Sequence, residues 1–142
     1  MRHRLPIAIC SAVCMIASAA SAQTITRAAV ALPDNALGHA ANAWLDAVNS
    51  GDSLQITAFV TDTTMLRTFP SAGPTAARVS AMLGFHRSKG ELVPVEVKSD
   101  IGDRLTVWVA ESGTGAETLF MFTTEPVEPH RLEFVFSVGR AF

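Results

Sequence analysis

The chain has 142 residues, with 11 Lys and Arg against 13 Asp and Glu, two cysteines and no tyrosine. A length of this order suits one domain, and the absence of any Lys/Arg run excludes the electrostatic footprint that nucleic acid or an anionic membrane surface requires. Both cysteines, Cys10 and Cys14, fall within the first 22 residues, so the rest of the chain has neither disulfide nor thiol chemistry.

The opening stretch, MRHRLPIAICSAVCMIASAASAQ, is basic at Arg2, His3 and Arg4, apolar from Pro6 to Ala20, and ends on Ala20-Ser21-Ala22. That is the layout of a secretory signal peptide over residues 1–22, with cleavage expected after Ala22. Its apolar run falls short of the ~20 residues that span a bilayer. The residues before Cys10 and Cys14 do not follow the order of a lipoprotein acylation site. A periplasmic or secreted protein is expected, free of the membrane after cleavage.

Residues 23–33, QTITRAAVALP, show no period and are expected to be a mobile lead-in to a single domain over 34–142. Leu37, Ala41, Trp44, Leu45 and Val48 then recur at helical spacing, which predicts a helix that starts near Asp34, with Asp34 as its N-cap. Gly51 sits where a left-handed helix stop belongs, and Asp52 followed by Gln55 fits a capping box for a second helix. In that short helix Leu54, Ala58 and Phe59 share a spacing. RTFPSAGPT is a loop, with Pro74 opening a third helix that carries Val79, Met82, Leu83 and His86 and stops near Gly90.

After Gly90 the period becomes two. Val93, Val95 and Val97 form one alternating set, then Leu105, Val107 and Val109, then the ETLFMFTT run, then Leu132, Phe134, Phe136 and Val138. Four strands joined by short turns predict an antiparallel meander, with Pro94 marking the first strand as an edge or a bulge. Helices followed by strands imply an α+β domain with the helices packed on one face of the sheet.

Three helices followed by a four-stranded antiparallel sheet resemble the NTF2-like (cystatin-like) α+β cone. More narrowly, LPDNALGHAANAWLDAVNSGD and EPVEPHRLEFVFSV are similar to the first helix and last strands of exported NTF2-like domains found fused to bacterial serine hydrolases or tail-specific peptidases. The resemblance implies a curved sheet over a cone-shaped cavity. Its members include enzymes, binding modules and assembly domains, so the fold by itself does not carry a function.

Candidate chemistry is sparse. An enzyme on such a cone needs a carboxylate or histidine in the cavity together with an oxyanion donor. The charged strand residues Glu96, Arg104, Glu117, Arg131 and Glu133 all fall opposite the apolar sets. His86, near the apolar stripe of the third helix, is the one candidate acid/base, with Asp46 or Arg67 as possible assistants; its structural alternative is a boundary histidine at the helix end. His39 and His130 lie far from it in sequence, with no spacing that signals a metal. No nucleophile motif is present, and the GTG at 113–115 is a hairpin turn.

A ligand pocket is the other expectation. Trp44, Phe59, Phe69, Met82, Phe85, Trp108, Phe120 and Phe122 are large apolar side chains able to line a cleft between helices and sheet, or simply to fill a core. Trp108 shares its strand face with Arg104 and Thr106, which suggests a partner surface or a homodimer through the sheet. The leading expectation is an exported non-catalytic module with no cofactor, binding a small apolar ligand or a protein partner. The alternatives are a small-substrate hydrolase, isomerase or dehydratase using His86, and a stand-alone regulator of a serine hydrolase or peptidase.

Overall fold

A computed structural model of the protein describes residues 27–62, 74–128 and 130–139. Its elements in chain order are α1 (Ala36–Ser50), α2 (Ser53–Asp62), α3 (Thr75–Lys89), β1 (Leu92–Ile101), β2 (Arg104–Glu111), β3 (Glu117–Thr124) and β4 (Leu132–Gly139). The strands form one antiparallel sheet in the order β1-β2-β3-β4. The α+β class and the meander are as the hydrophobic periods predict. The leader, Arg67 and Phe69 lie outside the described residues.

The predicted stripe of α1 is buried throughout: Leu37, Ala41, Trp44, Leu45 and Val48, with Ala47 beside them. The cap differs by one residue. Asn35, in an extended conformation, accepts the Gly38 amide on its Oδ1 at 2.8 Å, while Asp34 instead meets His39 Nε2 at 2.8 Å on the surface. Asn35 wins because it directly precedes the first helical residue, the place from which a short side chain reaches the amide three residues on. In α2 the buried residues are Ile56 and Val60, with Phe59 half-buried, whereas Leu54 is exposed. The i, i+4 pair Ile56–Val60 defines the stripe, and Leu54 stands off it.

Bulges correct two of the strand readings. In β1, Pro94 pairs with Val109 and Glu96 with Trp108, so Val95 is an extra residue; Lys98 is a second, between Val97 and Ser99. Strict alternation of Val93, Val95 and Val97 is therefore broken, and Leu92 and Val95 are the buried pair. In β4, Thr124 pairs with Leu132 but Thr123 with Phe134, leaving Glu133 unopposed. The expected single face of Leu132, Phe134, Phe136 and Val138 is thus split. Leu132 and Val135 are buried, while Phe136 and Val138 point away from the core and are exposed.

The core lies between the helices and one face of the sheet. There Leu105, Val107, Val109, Phe120, Phe122, Leu132 and Val135 meet the stripes of α1 and α2 and Met82 of α3. Residues 27–33 run beside β1, where Val30 N–H donates to the Pro94 carbonyl at 2.9 Å and Leu32 is buried.

Candidate functional site

Polar chemistry gathers at the end of the domain where α1 and α3 stop, β1 starts and β2 turns into β3. Alternation along β2 puts Glu111 on the same face as Leu105, Val107 and Val109, and its side chain is buried to 2% exposure. Lys89, the last residue of α3, donates from Nζ to Glu111 Oε1 at 2.6 Å. Thr118 on β3 donates a short hydrogen bond to the same oxygen, and Thr114 in the turn donates to Oε2 at 2.7 Å. The ammonium also stands 5.3 Å from the Phe85 ring centre, a favourable place for a cation.

Burial pushes the Glu111 carboxyl upward. The hydrogen bonds from Lys89, Thr118 and Thr114, together with the Lys89 charge, outweigh that effect and hold it below its ordinary value. The result is an ionised carboxylate with donors on both oxygens, a poor proton acceptor and a strong structural tie. Backbone bonds reinforce the same junction: Gly113 N–H to the Lys89 carbonyl at 2.8 Å and Ser112 N–H to the Glu91 carbonyl at 2.9 Å. Glu111 stands outside the candidate residues that motifs and spacing single out. The signals that point to it are its parity with the β2 valines and the presence of a lysine at the end of α3.

Beside this junction Asn49 bridges α1 and β1. Its side-chain amide donates to the Leu92 carbonyl at 2.9 Å and accepts the Leu92 N–H at 2.8 Å, satisfying both backbone groups of the first residue of an edge strand. Gly51, at φ 59°, ends α1, and Asp52 begins α2, but not through the expected capping box with Gln55: its Oδ1 accepts the Leu54 amide at 2.7 Å and its N–H donates to Ser50 Oγ at 3.1 Å. His86 lies against this stop. Its Nδ1 is buried without a hydrogen-bond partner, and its Nε2 edge faces Gly51. Among the described residues no group is hydrogen-bonded to Nδ1.

The other histidines and Asp46 are separate from it. His39 sits on the surface with Asp34, and Asp46 is exposed on α1. His130, in the β3–β4 turn at φ 52°, holds the Glu125 carbonyl from Nδ1 at 3.0 Å. Among the described residues no three His, Cys, Asp or Glu stand together as a metal site, and no helix is long and apolar enough to cross a membrane.

Of the expected pocket residues, four are brought into one cluster. Trp44 packs on Phe85, Phe120 and Phe122 with ring centres 6.1, 5.6 and 5.7 Å apart, and Phe85 meets Phe120 edge-on at 5.8 Å. Met82 is buried and Phe59 packs on the same core. Rings at these separations are in mutual contact, an arrangement that contributes beyond simple burial.

Trp108 stands on the opposite, outer face. Strand register places Glu96, Trp108, Leu119 and Val138 in one row across that face, with Thr106, Met121 and Phe136 in the next. Phe136 is 37% and Val138 49% exposed. At the margin of this face Arg27 reaches both Glu96, at 3.1 Å, and Glu117, at 3.4 Å. Compared with known proteins, the chain matches no protein family and no curated protein.

Proposed function

We propose that this protein is an exported α+β module of the NTF2-like type that acts by binding rather than catalysis, through the outer face of its sheet. The observation that carries the proposal is a contrast between the two faces. On the inner face the buried carboxylate is satisfied by three donors and the aromatic rings pack on one another. On the outer face the cross-strand pairs Leu119–Val138 and Met121–Phe136 form an apolar patch on the side of the sheet away from the helices, flanked by charged residues. An apolar patch with a polar rim suits a protein partner, a second copy of the chain included. Contact among the core aromatics favours this version over a small apolar ligand held between helices and sheet.

Light scattering on the purified mature chain, together with affinity capture from an extract of exported proteins, tests the proposal. Wild type should self-associate or retain a specific partner, and Val138→Glu should lose that association while keeping its helical and strand content. A wild type that stays monomeric and retains nothing that Val138→Glu fails to retain would sink the proposal.

A second reading, an enzyme using His86, draws on the orphaned Nδ1, a buried polar atom with no structural partner. It requires turnover of a small ester, epoxide or ketone panel that His86→Ala abolishes. Equal rates in the two proteins would remove it.

A further inference from the structure

We infer that the outer face carries a guanidinium-binding site formed by Glu96, Trp108 and Glu117, which Arg27 of the same chain occupies and which accepts an arginine-bearing, extended segment of a protein partner. The inference rests on the outer face being the binding surface, and it names the chemistry that the surface recognises.

The site follows from the strand register. Glu96 on β1 is directly opposite Trp108 on β2, and Glu117 on β3 is opposite Ala110, two residues further along β2. Two carboxylates therefore stand on either side of β2, and the line between them crosses β2 at positions 108–110. Cross-strand neighbours on one face lie close enough to interact, and two anions so placed favour a cation between them. Arg27 Nη1 fills that place, at 3.1 Å from Glu96 Oε2 and 3.4 Å from Glu117 Oε2. The composition of the site selects arginine over lysine. A guanidinium is planar, presents donors in several directions at once and stacks on aromatic faces, whereas an ammonium is a compact, strongly hydrated point charge.

The present occupant is held in a way that permits exchange. The Arg27 side chain is 44% exposed and those of its partners 41% and 22%, and ion pairs of this kind contribute only ~0.2–1 kcal/mol. Between Arg27 and buried Leu32 the backbone is tied to the sheet by a bond from the Val30 N–H to the Pro94 carbonyl, the one such tie among the described residues of this stretch. Arg27 is tethered, so it competes at a high local concentration, and a partner arginine displaces it only when neighbouring contacts add to the ion pair. Leu119 and Met121 lie next to Trp108 and Glu117 on the same face and provide those contacts. An extended segment with an arginine flanked by apolar residues fits this arrangement, and Arg27 acts as an internal competitor for it.

The test uses a blocked pentapeptide with the sequence of residues 25–29, ITRAA, titrated into the mature chain and into Arg27→Ala while backbone amide resonances are followed by NMR. Arg27→Ala should show saturable shifts at Glu96, Trp108 and Glu117, on the order of millimolar affinity for so small a contact. Wild type should bind about two- to sixfold more weakly because its own arginine competes with an ion pair of that modest strength. A peptide with lysine in place of arginine should bind several-fold more weakly than the parent, and Glu96→Gln or Glu117→Gln in the Arg27→Ala background should remove the response. Arg27→Gln provides a second vacated site if the alanine variant is unstable.

No saturable shift in either vacated variant overturns the inference, as does equal binding of a peptide with glutamine at the central position. If that happens while Val138→Glu still disrupts association of the full chain, the arginine site falls and the outer-face reading stands. If Val138→Glu is also without effect, both fall.

Discussion

The imidazole of His86 lies against Gly51, so close that a Cβ on residue 51 would stand 2.7 Å from Nε2 and 2.9 Å from Cδ2. Two demands thus meet at one glycine. Its φ of 59° ends α1 in the left-handed region, and its bare Cα leaves room for a ring from α3. A helix stop and a helix–helix contact are the same feature.

Gly51→Ala should therefore cost more than the ~1 kcal/mol of left-handed strain alone, about 2 kcal/mol in total. Urea denaturation of Gly51→Ala in the wild-type and His86→Ala backgrounds separates the two parts. The loss should shrink to about 1 kcal/mol when the ring is absent. Equal losses in both backgrounds would show that the ring contact is immaterial.

The Lys89–Glu111 tie makes stability depend on acid. Glu111 is held below its ordinary value in the folded protein, so the unfolded chain binds the proton more readily. Its contribution is complete above the ordinary carboxylate range and is lost as pH falls through the lower folded value. Glu111→Gln should flatten the acid side of the stability–pH curve. Lys89→Met, which leaves a buried carboxylate with only its threonine donors, should cost roughly 2 kcal/mol at neutral pH, discounted because the lysine is 27% exposed. An unchanged acid limb in Glu111→Gln would mean that other carboxylates control it.

Asn49 should tolerate no substitution. Asn49→Ala removes both bonds to the Leu92 backbone and should cost about 2 kcal/mol. Asn49→Asp, which sets an anion against the Leu92 carbonyl, should cost at least as much. Hydrogen exchange at the Leu92 amide reports the loss directly, since Asn49 Oδ1 is its acceptor. Slow exchange of that amide in Asn49→Ala would contradict the assignment.

The start of α1 offers a discriminating pair. Asn35→Ala should lower stability by about 1 kcal/mol because it deletes the cap on Gly38. Asp34→Ala removes only an exposed contact to His39 and should change stability by less than ~0.5 kcal/mol. The reverse order in thermal melts would reassign the cap to Asp34.

Much of the architecture is legible from local patterns. The α1 stripe from Leu37 to Val48 and the β2 set Leu105, Val107 and Val109 are buried as their periods require, because burial of one face selects the matching repeat. The glycine stop at Gly51 and the aspartate start at Asp52 are legible for the same reason: each is satisfied by bonds within a few residues. The α2 stripe and the α1 cap lie a short step from where local patterns put them, since neighbouring residues of similar chemistry compete for those positions and small geometric differences decide between them.

The rest was decided by distance. A bulge at Glu133 turns Phe136 and Val138 outward, and nothing in LEFVFSVG announces it, because a bulge is a property of two paired strands. Glu111 becomes a satisfied anion through residues 22 positions before it and 7 after it, and Arg27 meets Glu117 across 90 positions. Local sequence by itself determined the elements, their class and the greater part of the buried set, because periodicity and capping are short-range physics. Only the tertiary structure decided which charges are tied, which ring the glycine shelters and which apolar residues remain on the outer face, because each depends on side chains that register and packing bring together from distant parts of the chain.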